Sequence, residues 1–491
     1  MPSSARGRAS AGGHGDALRH ETLRIAGEHV ATERSSELLN PYTRAPIATV
    51  AQASVADVRR AIAIAREFRA RLTRYERYRV CYQTAEALRA RAEELADLIT
   101  AESGLCKKDS LYEVGRACDV FMFAGNAALQ DDGQIFSCDL TAHGKRRKVY
   151  TLREPLLGVI CAITPFNHPL NQVAHKVAPS IASNNRMVLK PSEKTPLSAL
   201  KLADILYEAG LPPEMFSVLT GEPREIAAEL LTHPDVDLIT FTGGIAVGKY
   251  IAATAVYKRQ VLELGGNDPI IVMEDADLEE AATLAALGSY KNSGQRCTAI
   301  KRMLVQETVA ARFVALLLEK TRAVRYGDPM DPATDMGTVI DEAAARCFEE
   351  RVNDAIAHGA RLLYGNIRDG ALYSPTLLDR VQPDMPLVKQ ETFGPVSPVM
   401  TFRTIEEAIR IANSTVYGLS SAVCTNRLDY ITRFVCELNV GSVNVREVPG
   451  YRLELTPFGG IKDSGLGYKE GVQEAIRSFT NVKTYSLPWL P

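Results

Sequence analysis

Between Leu157 and Leu264, short apolar runs alternate with helix-patterned stretches, and this alternation restricts the chain more than any other feature. Arg186–Lys190 reads as a strand, and Pro196–Ala209 as a helix with Pro196 near its start and Gly210 just past its end. Phe216–Leu219, Val236–Phe241 and Val261–Leu264 read as further strands, separated by the helical stretches Pro223–Leu231 and Ala246–Ala255. Strands that each follow a helix run parallel, because every return crosses a face of the sheet. The expected fold class is therefore α/β, with helices on both faces of a parallel sheet. A second α/β series starts near Pro269, with helical pieces near 277–289, 308–323 and 404–413 and strands near 302–306, 397–402 and 441–445. Ahead of both, Val58, Ala61, Ile62 and Ala65, then Leu88, Leu95 and Leu98, fall at helical spacing. The stretch 134–153 is strand-rich, and the tail Ser478–Pro491 alternates like an edge strand.

Composition excludes several classes. The 491 residues suffice for two or three domains with sizeable cores. Lys and Arg total 57 against 59 Asp and Glu, a formal charge of −2, so nothing in bulk drives the chain toward nucleic acid or anionic lipid. Nine cysteines, with no Cys-x-x-Cys pair and no Cys/His cluster at zinc spacing, suit free thiols in a reducing cytoplasmic compartment and no metal site. The apolar run Leu156–Ile163 is far short of the about 20 residues a membrane helix needs. The first twenty residues are Gly/Ser/Ala-rich and basic, lack a secretory apolar region, and are expected to be a disordered tail.

Some residues could carry chemistry. Cys297 follows Ser293-Gly294-Gln295-Arg296, where Gly294 permits a tight turn and Arg296 would favour a thiolate. Alone, it could equally be a small buried hydrophobe. Glu263 ends a strand beside Gly265-Gly266, either as an ion-pair partner or as a general base. Asn167, in Thr164-Pro165-Phe166-Asn167-His168-Pro169, either forms a turn or donates to a developing oxyanion. Gly243-Gly244 lies between a strand and a helix containing Gly248, a junction whose free N–H groups suit a pyrophosphate. Lys190 and Glu193 sit at the carboxyl end of a strand, where α/β folds bind ligands.

Each signal is weak alone, but their order is specific. With Lys190-Pro191-Ser192-Glu193, Phe241-Thr242-Gly243-Gly244, Glu263-Leu264-Gly265-Gly266, Gly294-Gln295-Arg296-Cys297, Glu391-Thr392-Phe393-Gly394-Pro395 and Pro457-Phe458-Gly459-Gly460, the chain resembles the aldehyde dehydrogenase superfamily from about residue 22 to its end. The resemblance implies two Rossmann-like α/β domains and a small oligomerisation β-element. An NAD-binding domain would span 21–134 and 157–265, a catalytic domain 266–476, and the oligomerisation element 135–156 and 477–491. It implies a homodimer or homotetramer with no nucleic-acid or membrane partner. Cys297 becomes the nucleophile, Glu263 the base that activates water, and Asn167 the oxyanion donor. NAD is expected at Thr164, Pro165, Lys190, Ser192, Glu193, Gly243, Gly244, Gly248, Glu391 and Phe393. Many relatives carry Ser at Gly244, so a side-chain phosphate contact is absent here; Glu193 favours NAD over NADP by repelling a 2′-phosphate.

The substrate end is cationic. His168 adjoins Asn167, Arg296 adjoins Cys297, and Arg116 and Arg452 fall where family members face the substrate tunnel. Guanidinium forks suit phosphate or phosphonate oxygens, unless local carboxylates such as Glu113 or Glu454 occupy them. The stretches 167–199 and 450–475 look closest to the phosphonoacetaldehyde dehydrogenase branch. Oxidation of phosphonoacetaldehyde to phosphonoacetate is therefore expected, as a step in phosphonate catabolism. The alternatives are non-phosphorylating glyceraldehyde-3-phosphate oxidation and a lactaldehyde-type activity.

Overall fold

The structure, a computed structural model, describes residues 18–69, 71–130, 133–467 and 470–489. The expected tail lies outside the described residues through residue 17; beyond it, Arg19–Glu21 already forms a strand, parallel to Pro46–Ala51.

The long helix α1 (Lys107–Ala128) packs beside the first α/β series. That series runs β1 (Val159–Ile163), α2 (Asn171–Ala182), β2 (Met187–Lys190), α3 (Leu197–Glu208), β3 (Phe216–Val218), α4 (Pro223–Thr232), β4 (Val236–Thr242), α5 (Ile245–Ala255) and β5 (Arg259–Glu263). The sheet order is β5-β4-β1-β2-β3, followed by Leu23–Ile25 and Glu28–Val30. β1 to β5 are mutually parallel, as expected, while Leu23–Ile25 and Glu28–Val30 add antiparallel pairs at one edge and make the sheet mixed. From β1 the chain winds outward through β2 and β3, then returns to place β4 on the other flank of β1. The order thus reverses between β1 and β4. A crevice at the carboxyl ends of strands flanking such a reversal is where open α/β sheets take ligands.

The second series comprises β6 (Asp268–Val272), α6 (Leu278–Tyr290), β7 (Ile300–Gln306), β8 (Thr376–Asp379), β9 (Val396–Phe402), α7 (Ile405–Asn413), β10 (Ser420–Cys424) and β11 (Ser442–Val445). Its order is β8-β9-β7-β6-β10-β11, all parallel, with Arg361–Tyr364 antiparallel at the β8 edge. A third sheet is wholly antiparallel. Its central strand Arg147–Pro155 pairs with Ile135–Ser137 on one side and along its whole length with Thr480–Pro488 on the other. The architecture is therefore two Rossmann-like α/β units and a small third sheet.

One helix near the crevice escapes periodicity. All of α2 is buried, so it shows no apolar stripe, and Pro179 falls inside it. Its amino end has no cap of its own; Glu113 of α1 accepts the N–H groups of Leu170 (2.8 Å) and Asn171 (2.9 Å) instead. A helix end in each large unit is thus fixed by a side chain from another element. Arg302 of β7 does the same, donating to the carbonyls of Ile411 and Ala412 at the end of α7.

Candidate active site

The nucleophile candidate sits on a loop between α6 and β7 that the backbone strains to make. Asn292, Ser293 and Gly294 are successive left-handed residues, with φ of 61°, 53° and 69°. Only Gly294 adopts this freely, and a Cβ there would lie 2.3 Å from the Gly394 carbonyl oxygen. The two non-glycine residues each cost about 1–3 kcal/mol. Hydrogen bonds hold them: Asn292 N–H donates to Asp109 (2.7 Å), Asn292 Nδ2 to the Asn167 carbonyl (2.9 Å), and Ser293 Oγ to the Gly337 carbonyl (3.2 Å). Asn167 answers with Nδ2 on the Gln295 carbonyl at 2.8 Å. One N–H of that amide is spent there, which leaves its second available to a substrate oxygen.

Under this loop lies a residue the sequence reading missed. Lys301 at the start of β7 is buried, and its ammonium donates to the carbonyls of Gly266 (2.9 Å), Arg296 (2.8 Å) and Cys297 (2.8 Å). It also pairs with Glu391 at 3.0 Å. Glu391 in turn accepts the Gly266 N–H (3.2 Å), and it fits only because Gly265 has no side chain: a Cβ there would stand 2.1 Å from Glu391 Oε2. Phe393 meets Phe166 edge-on, with ring centroids 5.8 Å apart. One signal could have revealed Lys301, namely two adjacent cations, Lys301-Arg302, at the head of an otherwise apolar strand.

Burial pushes the Cys297 thiol up to about 11; Lys301 and Arg452 pull it down, and Asp268 and Glu391 push it up. This corrects the expectation that Arg296, as chain neighbour, makes the resting cysteine a thiolate. Arg296 turns its Nη2 onto the Gly288 carbonyl (2.9 Å), so Lys301 and Arg452 exert the larger pull. All nine cysteines are free. Glu263 is buried at the end of β5, where its backbone carbonyl accepts the Gly243 N–H at 3.1 Å.

The crevice between β1 and β4 fits a dinucleotide. Thr164 Oγ1 and Thr242 Oγ1, at the carboxyl ends of these strands, are buried without partners. Helix α5 opens at Gly244 with no side-chain cap, so its first N–H groups have no partner within the helix. A Cβ on Gly244 would meet nothing within 4 Å, leaving room for a phosphate. Gly248 has a different role: a Cβ there would collide with Leu264 at 2.4 Å, so this glycine sets how closely α5 lies on the strand below. Lys190 is buried, its Nζ on the Pro191 carbonyl (3.0 Å) and 3.5 Å from Glu193. Glu193 is half exposed and lines a cleft of about 540 Å³, while Ser192 Oγ accepts the Lys194 N–H. Pro165 continues the loop leaving β1.

The cationic end comes together, but not as bare charge. Arg296 and Arg116 repel each other and both repel His168, while Arg452 acts on Cys297. Arg116 donates Nε to Glu454, and the alternative of local pairing is realised there. Glu454 also meets His175 Nε2 (2.6 Å) and lies 3.7 Å from Arg452. Burial alone would raise the Glu454 pKa, yet His175, Arg452 and Arg116 hold it far below the usual carboxylate range. Burial lowers the pKa of both His168 and His175, against the opposing pull of Glu113 on the first and Glu454 on the second; His168 Nδ1 lies 3.4 Å from Glu113. Two guanidinium nitrogens, Arg296 Nε and Arg452 Nη1, are buried without partners. A cleft of about 430 Å³, lined by Tyr112, Arg116, Asp119, Arg452 and Glu454, opens onto this group.

This arrangement has known counterparts. The chain belongs to the aldehyde dehydrogenase family, whose model matches residues 29–485. It is 39% identical over 459 residues to a 3-sulfolactaldehyde dehydrogenase of Priestia megaterium, covering 93% of this chain and 96% of the relative. It is 37% identical over 450 residues to a sulfoacetaldehyde dehydrogenase of Neptuniibacter caesariensis, covering 91% and 98%. A crystal structure of a glyceraldehyde-3-phosphate dehydrogenase from Methanocaldococcus jannaschii, complexed with NADP, superposes with a TM-score of 0.89 at 35% identity, covering 93% of this chain and 100% of that one. The chain is thus an NAD(P)-dependent aldehyde dehydrogenase. Among the described residues no helix is long and apolar enough to cross a membrane.

Proposed function

We propose that the protein oxidises a two- or three-carbon aldehyde whose far end is a tetrahedral oxyanion, using NAD. The observation that carries this is the pair of buried, unpartnered guanidinium nitrogens, Arg296 Nε and Arg452 Nη1, flanking Cys297. Donors left unpaired in a buried pocket are costly, and an anionic head supplies their acceptors. Phosphonoacetaldehyde, suggested by the sequence motifs, belongs to this class. So do the sulfonated aldehydes and the phosphorylated triose named for the relatives.

In this reading Cys297 Sγ attacks the aldehyde carbon while the second N–H of Asn167 Nδ2 and the Cys297 N–H receive the oxyanion. Lys301 holds the loop and Glu391 in register. Thr164, Thr242, Gly243, Gly244, Lys190, Glu193, Glu391 and Phe393 would hold NAD, whose nicotinamide supplies the hydride acceptor when bound. Glu263 then takes a proton from water, which releases the acid from the Cys297 thioester. Glu193 would disfavour a 2′-phosphate and so favour NAD. We assign nucleotide binding to the first α/β unit and subunit pairing, as homodimer or homotetramer, to the third sheet.

The test is NADH formation by the purified protein with phosphonoacetaldehyde, sulfoacetaldehyde, D-glyceraldehyde 3-phosphate, lactaldehyde and propanal. The anionic aldehydes should lead in kcat/KM. A lead for lactaldehyde or propanal would mean that the guanidiniums serve only internal pairing.

A further inference from the structure

A further cation stands at the substrate end. Lys291 closes α6, directly before the strained turn Asn292-Ser293-Gly294 that leads to Cys297. A lysine in that position commonly bends back onto the last carbonyls of its helix. Lys291 does not: among the described residues its half-buried ammonium makes no hydrogen bond and no ion pair. It lies instead on the ring of Tyr112, 3.3 Å from the centroid. Tyr112 belongs to α1, one turn before Arg116, whose guanidinium carbon lies 6.0 Å from the same centroid. One ring thus gathers both cations. That ring is exposed and lines the cleft of about 430 Å³ together with Arg116 and Arg452. Burial lowers the Lys291 pKa, Asp109 opposes this, and Arg296 and Arg116 lower it further, so Lys291 feels both arginines. Asp109 does not neutralise it by contact: its Oδ2 accepts the Asn292 N–H at 2.7 Å. Glu454 is engaged by Arg116 and His175, and Glu113 by the head of α2.

Resting on the anion reading above, we propose that Lys291 is a further specificity-determining residue that binds the anionic head of the substrate, and that the Tyr112 ring holds its ammonium in place. An ammonium carries three N–H donors. A ring face attracts the charge but occupies only one side of it. A sulfonate, phosphonate or phosphate head offers the oxygen acceptors that the ring lacks. A lysine that served only the helix end and the Cys297 loop would affect every aldehyde alike.

The experiment compares sulfoacetaldehyde and propanal in the wild type, Lys291→Met and Lys291→Arg. Lys291→Met should raise KM for sulfoacetaldehyde, and lower its kcat/KM relative to propanal, by about tenfold or more, the scale of one charged hydrogen bond. Lys291→Arg, which keeps a cation for the ring, should restore most of that ratio. Sulfoacetate, which has the head but no aldehyde, should inhibit propanal oxidation competitively, with an inhibition constant that rises by a similar factor in Lys291→Met. An unchanged ratio, an unchanged inhibition constant, or a parallel loss on both aldehydes would overturn the proposal. If propanal beats sulfoacetaldehyde in the wild type, it is the anion reading itself that fails. Should Lys291→Met not fold, Tyr112→Leu carries the test, since it removes the ring and keeps the lysine. A selective rise in KM for sulfoacetaldehyde then supports the proposal; equal losses, or none, overturn it.

Discussion

The cofactor crevice and the substrate pocket share Cys297 but are built from different materials. The crevice is mostly backbone: a reversal of strand order, an uncapped helix start at Gly244, a bare Gly265, and two threonine hydroxyls at strand ends. The pocket is mostly charged and polar side chains, with Glu454 against Arg116 and Arg452 and Glu113 against His168. The first is specified by geometry that small residues permit. The second is specified by pairing between side chains brought together from distant parts of the chain.

The largest expected effect is common to both regions. Cys297→Ala should lower turnover by about 10⁴-fold or more while NAD binding, measured by fluorescence titration, stays intact. Residual dehydrogenase activity near wild type would remove the nucleophile from the account. Next is Lys301→Met, which strips a buried cation from three carbonyls and Glu391. It should cost about 3–5 kcal/mol in denaturant unfolding and slow Cys297 alkylation at fixed pH, because the largest pull toward thiolate is lost. In the wild type the thiol pushed up to about 11 is protonated at neutral pH, so iodoacetamide should alkylate Cys297 faster with every step up to pH 9, without a plateau. A plateau below pH 8 would show a resting thiolate. The smallest effect belongs to the crevice. Gly244→Ser adds a cap where nothing stands within 4 Å. It should stabilise the protein by a few tenths of a kcal/mol and tighten NAD binding modestly; destabilisation in thermal melts would mean the junction is not open.

The same contrast explains how much could be read from the sequence. β2, β3, β4, β5 and α3, α4, α5 follow the expected ranges to within a few residues, because half-buried helices show a stripe and parallel strands show apolar runs. Helix α2 is buried on every side and carries Pro179, so periodicity has nothing to report there. The helix Glu342–Ala357, the helix Leu428–Glu437 and β10 were also passed over. At the site, Gly243, Gly244 and Asn167 announce themselves through strand-end position, and Cys297 through its glycine turn. Glu454 and His175 are separated by most of the second unit in sequence yet meet at 2.6 Å, and Lys301 looks like one more basic residue. Burial and pairing between distant charges are tertiary facts, and burial decided the correction at Cys297, whose resting thiol is protonated.

The measurement that bears most directly on the account is the kinetics of Arg296→Ala with sulfoacetaldehyde and propanal. Arg296 adjoins the nucleophile and keeps a buried Nε free for a substrate anion. The account expects KM for sulfoacetaldehyde to rise by about 10- to 100-fold, the worth of a charged hydrogen bond of about 1.5–3 kcal/mol, while kcat/KM for propanal changes little. Equal losses on both substrates would contradict it and return Arg296 to a support for the Cys297 loop.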